Sequence, residues 1–292
     1  MTGSQQTGYD AAAHYDRVTD AWQLLLGDDL HYGVFDTGHE ALDTATARLT
    51  ELMVEAADLR PGMDILDVGC GTGAPACRLV ESFGVRALGI STSSVGVAAA
   101  TDRAVARGCD GARFEVRDGT ATGLPDGSFD RVWLLESSHL IRDRTALIGE
   151  CARVLRPGGR LVLCDIVRHR VIPFDEVRAR RADFATLREA FGDAHMHSLD
   201  DYAVYLTAAG LTVGDKVDLS AATLPTFDRW RANAATHHEA VVDLLGTAGR
   251  DAFVRSTEIL ERFWRDGTLG YGLISADKAL SSARPTEEDS RP

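Results

Sequence analysis

The residues best suited to chemistry stand where two apolar runs end. In the first, Asp64-Ile65-Leu66-Asp67-Val68 leads into Gly69-Cys70-Gly71-Thr72-Gly73-Ala74. Glycine permits the positive φ of a tight turn and lets a ligand touch the backbone. A helix starting there would add unpaired N–H groups and a positive dipole end. With Ala74 in the last place, the loop also fits the permissive dinucleotide pattern G-x-G-x-x-G/A. Two details point elsewhere. The glycines fall at every second position through Gly73, and Asp67 stands two residues before Gly69. A carboxylate there suits a ligand with an amino-acid end and would repel a pyrophosphate. The plainer alternative is a glycine turn that only packs strand on helix.

The second run is Trp133-Leu134-Leu135-Glu136-Ser137-Ser138-His139. Its end would reach the crevice at the carboxyl edge of a sheet, with Glu136 and His139 as the titratable groups. Histidine as a residue type suits a general base near neutral pH, so His139 is either that base or a histidine that caps the following loop. Glu136 reads as a pocket carboxylate rather than a base. Upstream, Tyr15, Trp22, His31 and Tyr32 are candidates for contact with a second ligand. Trp22 and Phe35 serve equally well as core aromatics. His195-Met196-His197 lacks a carboxylate–histidine spacing, so no metal is expected. Arg168, Arg170, Arg178, Arg180 and Arg181 read as a solvated helix face, with an anion clamp as the minority reading.

These groups need a scaffold, and the chain supplies an alternation of strands and helices. The pattern predicts strands at Met63–Val68, Arg86–Ile90, Arg113–Val116, Arg131–Leu135 and Arg160–Asp165, then at Thr212–Leu219 and Thr268–Ala276. Helices are predicted at Ala74–Ser82, Ser94–Arg107 and Arg144–Leu155. Ser198 and Asp201 form a capping-box pair, with Gly210 past the helix end. The expected organisation is an N-terminal helical lid over residues 1–59, broken at His31–Phe35, and a ligand-binding core over 60–167. A lid insertion follows over 168–197, then the rest of the core over 198–280 with a helical insertion at 226–265, and a disordered tail over 281–292. The helices from three places are expected to form one cap, and the insertions are where a homo-oligomer would form.

The formal charge of −13 disfavours nucleic acid and anionic lipid as partners. No apolar run reaches the ~20 residues of a membrane span. The five cysteines include no C-x-x-C pair, which fits reduced cytoplasmic usage. The 45% hydrophobic content suffices for a sizeable core.

Four more segments follow the glycine loop in order: Gly89-Ile90-Ser91-Thr92-Ser93, Arg117-Asp118-Gly119-Thr120, Leu124-Pro125-Asp126-Gly127-Ser128-Phe129-Asp130 and Leu155-Arg156-Pro157-Gly158-Gly159. Together the five motifs, over Pro61 to Asp165, resemble class I methyltransferases of the ubiquinone/menaquinone-methylase-like group. The resemblance implies a Rossmann-like α/β fold with a seven-stranded sheet, an antiparallel last strand, helical cap insertions and S-adenosyl-L-methionine as cofactor. It implies cofactor contacts from Asp67, Gly69, Gly71 and Gly73, ribose contacts from Ser91 and Thr92, and adenine recognition by Asp118 beside Gly119. Many relatives carry an acid where this chain has Ser91. Hydroxyl-bearing relatives in the sterol, tocopherol and cyclopropane-forming branches often have a glutamine at the place of Gly96. Asp29-Leu30-His31-Tyr32-Gly33 is similar to the arm that closes over the cofactor in natural-product methyltransferases. The implied activity is methyl transfer to an oxygen or carbon of a small specialised metabolite. The close rival is C-methylation of a prenyl chain, and the different-class rival is an NAD-dependent oxidoreductase.

Overall fold

The computed structural model describes residues 11–280, and side chains from residue 18 onward. The tail expected to be disordered and the Tyr15 side chain lie outside the described residues. Seven strands form one sheet: β1 (Asp64–Val68), β2 (Arg86–Ser91), β3 (Ala112–Val116), β4 (Phe129–Leu135), β5 (Leu155–Arg168), β6 (Leu211–Asp218) and β7 (Leu269–Lys278). Their order is β3-β2-β1-β4-β5-β7-β6. Strands β1 to β5 pair in parallel, and β7 lies antiparallel between β5 and β6. This is the Rossmann-like seven-stranded sheet that the motifs imply.

The central strands read as continuous apolar runs because both faces are covered. Ile65 and Leu66, Val132 and Trp133, and Leu161 to Cys164 are all buried. β5 is longer than its apolar stretch predicts. β7 pairs with it from Arg160↔Asp277 to Arg168↔Leu269, and Arg160 Nε meets Asp277 Oδ1 at 2.7 Å. The segment Leu155–Gly159, which lies before the predicted strand, is thereby the start of β5, where Leu155 pairs with Phe129.

The helices are α1 (Ala11–Leu26), α2 (Leu42–Ala57), α3 (Ala74–Phe83), α4 (Ser94–Arg107), α5 (Arg144–Val154), α6 (Phe174–Ala179), α7 (Arg181–Phe191), α8 (Leu199–Ala208), α9 (Ser220–Thr223), α10 (Thr226–Thr236) and α11 (His238–Arg265). Side chains start several of them. Ser93 accepts from Gly96 N at 2.9 Å, and Asp143 from Ala146 N at 2.8 Å. Ser198 and Asp201 form the expected reciprocal box at α8. The N-terminal break is wider than its aromatic signal, covering residues 27–41 between α1 and α2. The late helical stretch breaks at His237 and again at Gly246, whose φ of 73° no continuous helix holds.

Each face of the sheet has its own core. On one, Leu66, Val68, Leu134 and Leu163 pack with Leu147 of α5 and Tyr202 and Leu206 of α8. On the other, Ile65, Trp133, Val162 and Cys164 pack with cap residues from α1, α2, α10 and α11, including Trp22, Leu49, Trp230 and Phe263. The cap helices and the sheet thus share one apolar interior. The strand order reverses between β1 and β4, which opens a crevice at the carboxyl ends of the strands.

Candidate active site

The glycine loop follows β1. Gly69 N and Cys70 N both donate to Ile90 O of β2, at 2.8 and 3.1 Å. Gly69 has φ +85°, and a Cβ there would lie 2.1 Å from Ser137 Cβ. Gly71 has φ +54° and meets nothing within 4 Å. One glycine lets the loop pack against the turn after β4, and the other leaves its face open. Gly73 does a third thing. A Cβ there would lie 2.7 Å from Phe114 and 2.8 Å from Ala100, so Gly73 serves close packing of α3 and does not line the cavity.

Above the loop lies a cavity of about 470 Å³. Gly69, Gly71, Thr72, Ser91, Ser93 and Gly96 form its polar wall. A smaller cavity of about 40 Å³ adjoins the loop, lined by His31, Asp67, Gly71 and Thr72 among others. Asp67 is buried there, and that burial pushes its carboxyl up to about 7. His31 Nδ1 lies 2.8 Å from the Tyr32 carbonyl, to which only N–H can donate, so Nε2 is the lone-pair nitrogen. That Nε2 is buried without a hydrogen-bond partner, and burial lowers the pKa of the ring. Two acceptors beside an open glycine suit the ammonium group of an amino-acid ligand end, so the loop fits S-adenosylmethionine.

The second run delivers Glu136 and His139 to the same cavity. Glu136 follows β4 directly and takes φ +50°, uncommon for a side-chain-bearing residue. Its N–H still donates to Cys164 O at 2.9 Å, so the kink turns the side chain without breaking the pairing. Oε1 accepts from Tyr271 Oη at 2.5 Å and from Tyr32 N at 2.7 Å. Burial nevertheless pushes this carboxyl up to about 8, against those two bonds. Tyr32 itself is core as well as wall. Its ring stacks on Trp264 at 5.4 Å and touches Trp230 at 4.7 Å.

His139 sits in a single 3₁₀ turn, Ser138–Leu140. Its Nδ1 lies 2.6 Å from Asp165 Oδ1, which leaves Nε2 for the cavity. Asp165 also accepts from His139 N at 3.0 Å, from Ile166 N at 2.8 Å and from Ser138 Oγ. Burial would raise the Asp165 carboxyl, but His139 and these donors outweigh it and hold it below its ordinary range. The arrangement is a base oriented by a buried carboxylate. The run of residue types pointed to His139 and contained Ser138 without marking its role, and it carried no mark of Asp165 or Tyr271. Only the position of Asp165 at the end of an apolar strand could have drawn notice.

Other expected contacts are not brought together. Asp118 is exposed and accepts from Thr120 N and Oγ1, both at 2.8 Å, on its own loop. Gly119 is packed, where a Cβ would lie 2.8 Å from Val68. Thr92 is exposed, and Ser93 takes its place on the wall beside Ser91. A Cβ at Gly96 would lie 3.2 Å from Gly71 O, so the N-terminus of α4 rests closely on the loop.

The opposite wall is apolar. Trp22 and Leu26 of α1 face Phe184, Leu187 and Phe191 of α7, with Trp230 of α10 between them. Both stripes follow helical spacing, and Trp22 meets Phe191 at 6.0 Å. Met196 lines the cavity, while His195 turns to Asp193 at 3.6 Å and His197 to Tyr205. Of the five arginines proposed as a clamp, only Arg168 reaches the wall, and it is paired with Asp201 at 2.7 Å. Arg170 is held by Glu176 and Thr268, and Arg180 by Asp266. Arg188 of α7, outside that set, also lines the cavity and lies 3.5 Å from Asp193.

Comparison with known proteins agrees with this geometry. Residues 3–267 match the family model described as mycolic acid cyclopropane synthetase. The chain is 37% identical over 273 residues to 27-O-demethylrifamycin SV methyltransferase of Amycolatopsis mediterranei (strain S699), covering 90% of this chain and 95% of that one. Among solved structures, the [4+2]-cyclase SpnF is 28% identical with a TM-score of 0.80, covering 92% and 96% of the two chains. The mycolic acid cyclopropane synthase CmaA1, solved with SAH and CTAB, has the same fold at a TM-score of 0.81 and 21% identity, over 91% and 96% of the chains. The chain therefore belongs to the mycolic acid cyclopropane synthetase family and is a class I methyltransferase that uses S-adenosylmethionine.

Proposed function

We propose that the enzyme methylates a hydroxyl group of a bulky, largely apolar natural product, with His139 as general base. The observation that carries this reading is the His139–Asp165 pair at the cavity, its Nδ1 fixed at 2.6 Å. Asp67, Gly69 and Gly71 with Ser91 and Ser93 would hold the cofactor, which supplies the methyl group when bound. The protein's own part begins with alignment, since methyl transfer needs the acceptor atom in line with the leaving group. Trp22, Phe184, Leu187 and Phe191 press an apolar acceptor against the polar wall and exclude water. His139 Nε2 accepts the hydroxyl proton, and Asp165 steadies the imidazolium that results.

A pocket of this kind suits a greasy small molecule rather than a macromolecule. The relative named above is a methyltransferase of 27-O-demethylrifamycin SV, which supports the same reading. The prenyl C-methylation rival draws on Glu136 among Tyr32, Tyr271 and Trp230, aromatic faces that could steady a carbocation. The arginines on the cavity wall, Arg168 and Arg188, already face Asp201 and Asp193, which weighs against a diphosphate acceptor.

The test is incubation with S-adenosylmethionine labelled with ¹³C in its methyl group and a panel of polyketide alcohols that includes 27-O-demethylrifamycin SV. The expected product carries the label at an O–CH₃ position in long-range NMR correlation. Label on carbon, or ring closure without methyl gain, would overturn the proposal.

A further inference from the structure

We propose that Arg144, Tyr202 and Ser138 are positioning residues that set the orientation and basicity of the His139–Asp165 pair. This inference rests on the reading of His139 as the base. The three residues come from separate elements: Ser138 from the turn after β4, Arg144 from the first turn of α5 and Tyr202 from α8. All are buried, with Ser138 and Tyr202 at 0% exposure and Arg144 at 2%.

Their hydrogen bonds form a chain whose direction is forced. Ser138 Oγ contacts Asp165 Oδ2 and lies 2.6 Å from Tyr202 Oη. Arg144 Nε lies 3.3 Å from the same Tyr202 Oη. A guanidinium can only donate, an ionised carboxylate can only accept, and each hydroxyl has one proton to give. Ser138 must therefore donate to Asp165. It then accepts from Tyr202, and Tyr202 accepts from Arg144. A cation at one end and a carboxylate at the other polarise both hydroxyls the same way. Such charge-assisted bonds are strong in a buried setting. Arg144 makes no direct ion pair among the described residues, so its charge reaches Asp165 through the two hydroxyls.

The chain also closes onto the cap. Arg144 Nη2 donates to His195 O at 2.7 Å, and His195 N donates to His139 O at 2.7 Å. Residues 192–194 and 196 line the acceptor side of the cavity. The segment that touches the acceptor is thereby bonded to the base on one side and to Arg144 on the other.

The sign of the effect follows. Removing a donor from this chain leaves the Asp165 carboxylate less stabilised and more basic. It then holds the imidazolium of His139 more tightly, and the ring gains proton affinity. The other ionisable groups around the pair are Glu136 beyond β4, Tyr32 on the arm, Cys164 on β5 and Tyr271 on β7, with His195 and His197 on the lid. His197 packs on the Tyr202 ring at 6.1 Å, and Tyr202→Phe keeps that ring.

The test is NMR titration of the enzyme labelled with ¹³C at histidine Cε1, its nine histidines resolved by assigning His139 through His139→Gln. Tyr202→Phe and Ser138→Ala should each raise the His139 midpoint by about 0.5 pH unit, the size expected for losing one hydrogen bond. The double variant should shift it by less than the sum of the two, because both changes cut one chain. Thermal stability lowered with no movement of the midpoint would mean that these residues are structural only and would overturn the proposal. Full turnover in His139→Ala would instead overturn the reading of His139 as base, whatever the titration shows.

Discussion

His139 Nδ1 and Asp165 Oδ1 stand 2.6 Å apart because β4 ends one register step short of Asp165 on its parallel neighbour β5. Leu135 of β4 pairs with Cys164 of β5. Asp165 is one residue beyond that pair, and Glu136 N reaches back to Cys164 O. The turn that follows then swings His139 over the carboxylate, which donors from Ser138, His139 and Ile166 hold in place. If the pair is the catalytic base, His139→Ala should lower turnover about 100-fold or more. Asp165→Asn should lower it at least about 10-fold, since the ring loses its orienting acceptor. Calorimetry with S-adenosylhomocysteine should give nearly the same affinity for both variants as for the native enzyme. Unchanged turnover in both would remove the pair from the mechanism.

Gly71 makes the sharpest test of the cofactor loop. Its φ of +54° disfavours any side chain, and a Cβ would enter the open cradle. Gly71→Val should abolish measurable binding of S-adenosylhomocysteine while the fold, followed by circular dichroism, persists. Near-native affinity would move the cofactor elsewhere.

Glu136 and Asp67 should shape the pH dependence of stability. Both are raised by burial, to about 8 and about 7. A raised carboxyl binds its proton more tightly in the folded state, so its contribution is fully present below the unfolded pKa near 4. It is lost as pH rises toward the folded value. Stability should therefore fall between about pH 4 and pH 8, by at most about 1.4 kcal/mol per pH unit for each group. Glu136→Gln should flatten part of that slope in urea titrations at successive pH values. An unchanged slope would mean that Glu136 titrates as an ordinary carboxylate.

The sheet, the glycine loop and the box at Ser198 were legible in the sequence because each depends on neighbours a few residues apart. Gly69 and Gly71 announce a turn whatever surrounds them, and an apolar run such as Leu161–Cys164 announces a covered strand. Asp165 was not legible. Its partner His139 lies 26 residues earlier, and only the strand register brings them together. Asp118 is a different case. Its place after β3 was legible, but not that Thr120 donates to its Oδ1 from the same loop, a local bond that spacing does not reveal. Gly73 raises a related point. A glycine in a loop can clear space for a ligand or for a neighbouring ring, and the ring beside Gly73 is Phe114.

The box at the start of α8 gives a prediction about acid stability. Ser198 Oγ accepts from Asp201 N at 3.1 Å, and Asp201 Oδ2 accepts from Ser198 N at 2.8 Å. Arg168 adds a third donor at 2.7 Å. Burial works against the Asp201 charge, but the Ser198 and Arg168 donors outweigh it and hold the carboxyl down at about 2. A depressed carboxyl contributes stability above its unfolded pKa near 4, and that contribution is lost as pH falls toward 2. Ser198→Ala removes the hydroxyl from both Asp201 N and the carboxylate, and should cost about 1 kcal/mol at neutral pH. The loss should shrink as the solution is acidified, because Asp201 then protonates in the native enzyme too and the charge-assisted part of the contact disappears. Chemical denaturation of both proteins at pH 7 and near pH 2 measures this. A difference in stability that stays constant across that range would mean that the serine acts through the Asp201 backbone N–H alone and that its hydroxyl does nothing for the carboxylate.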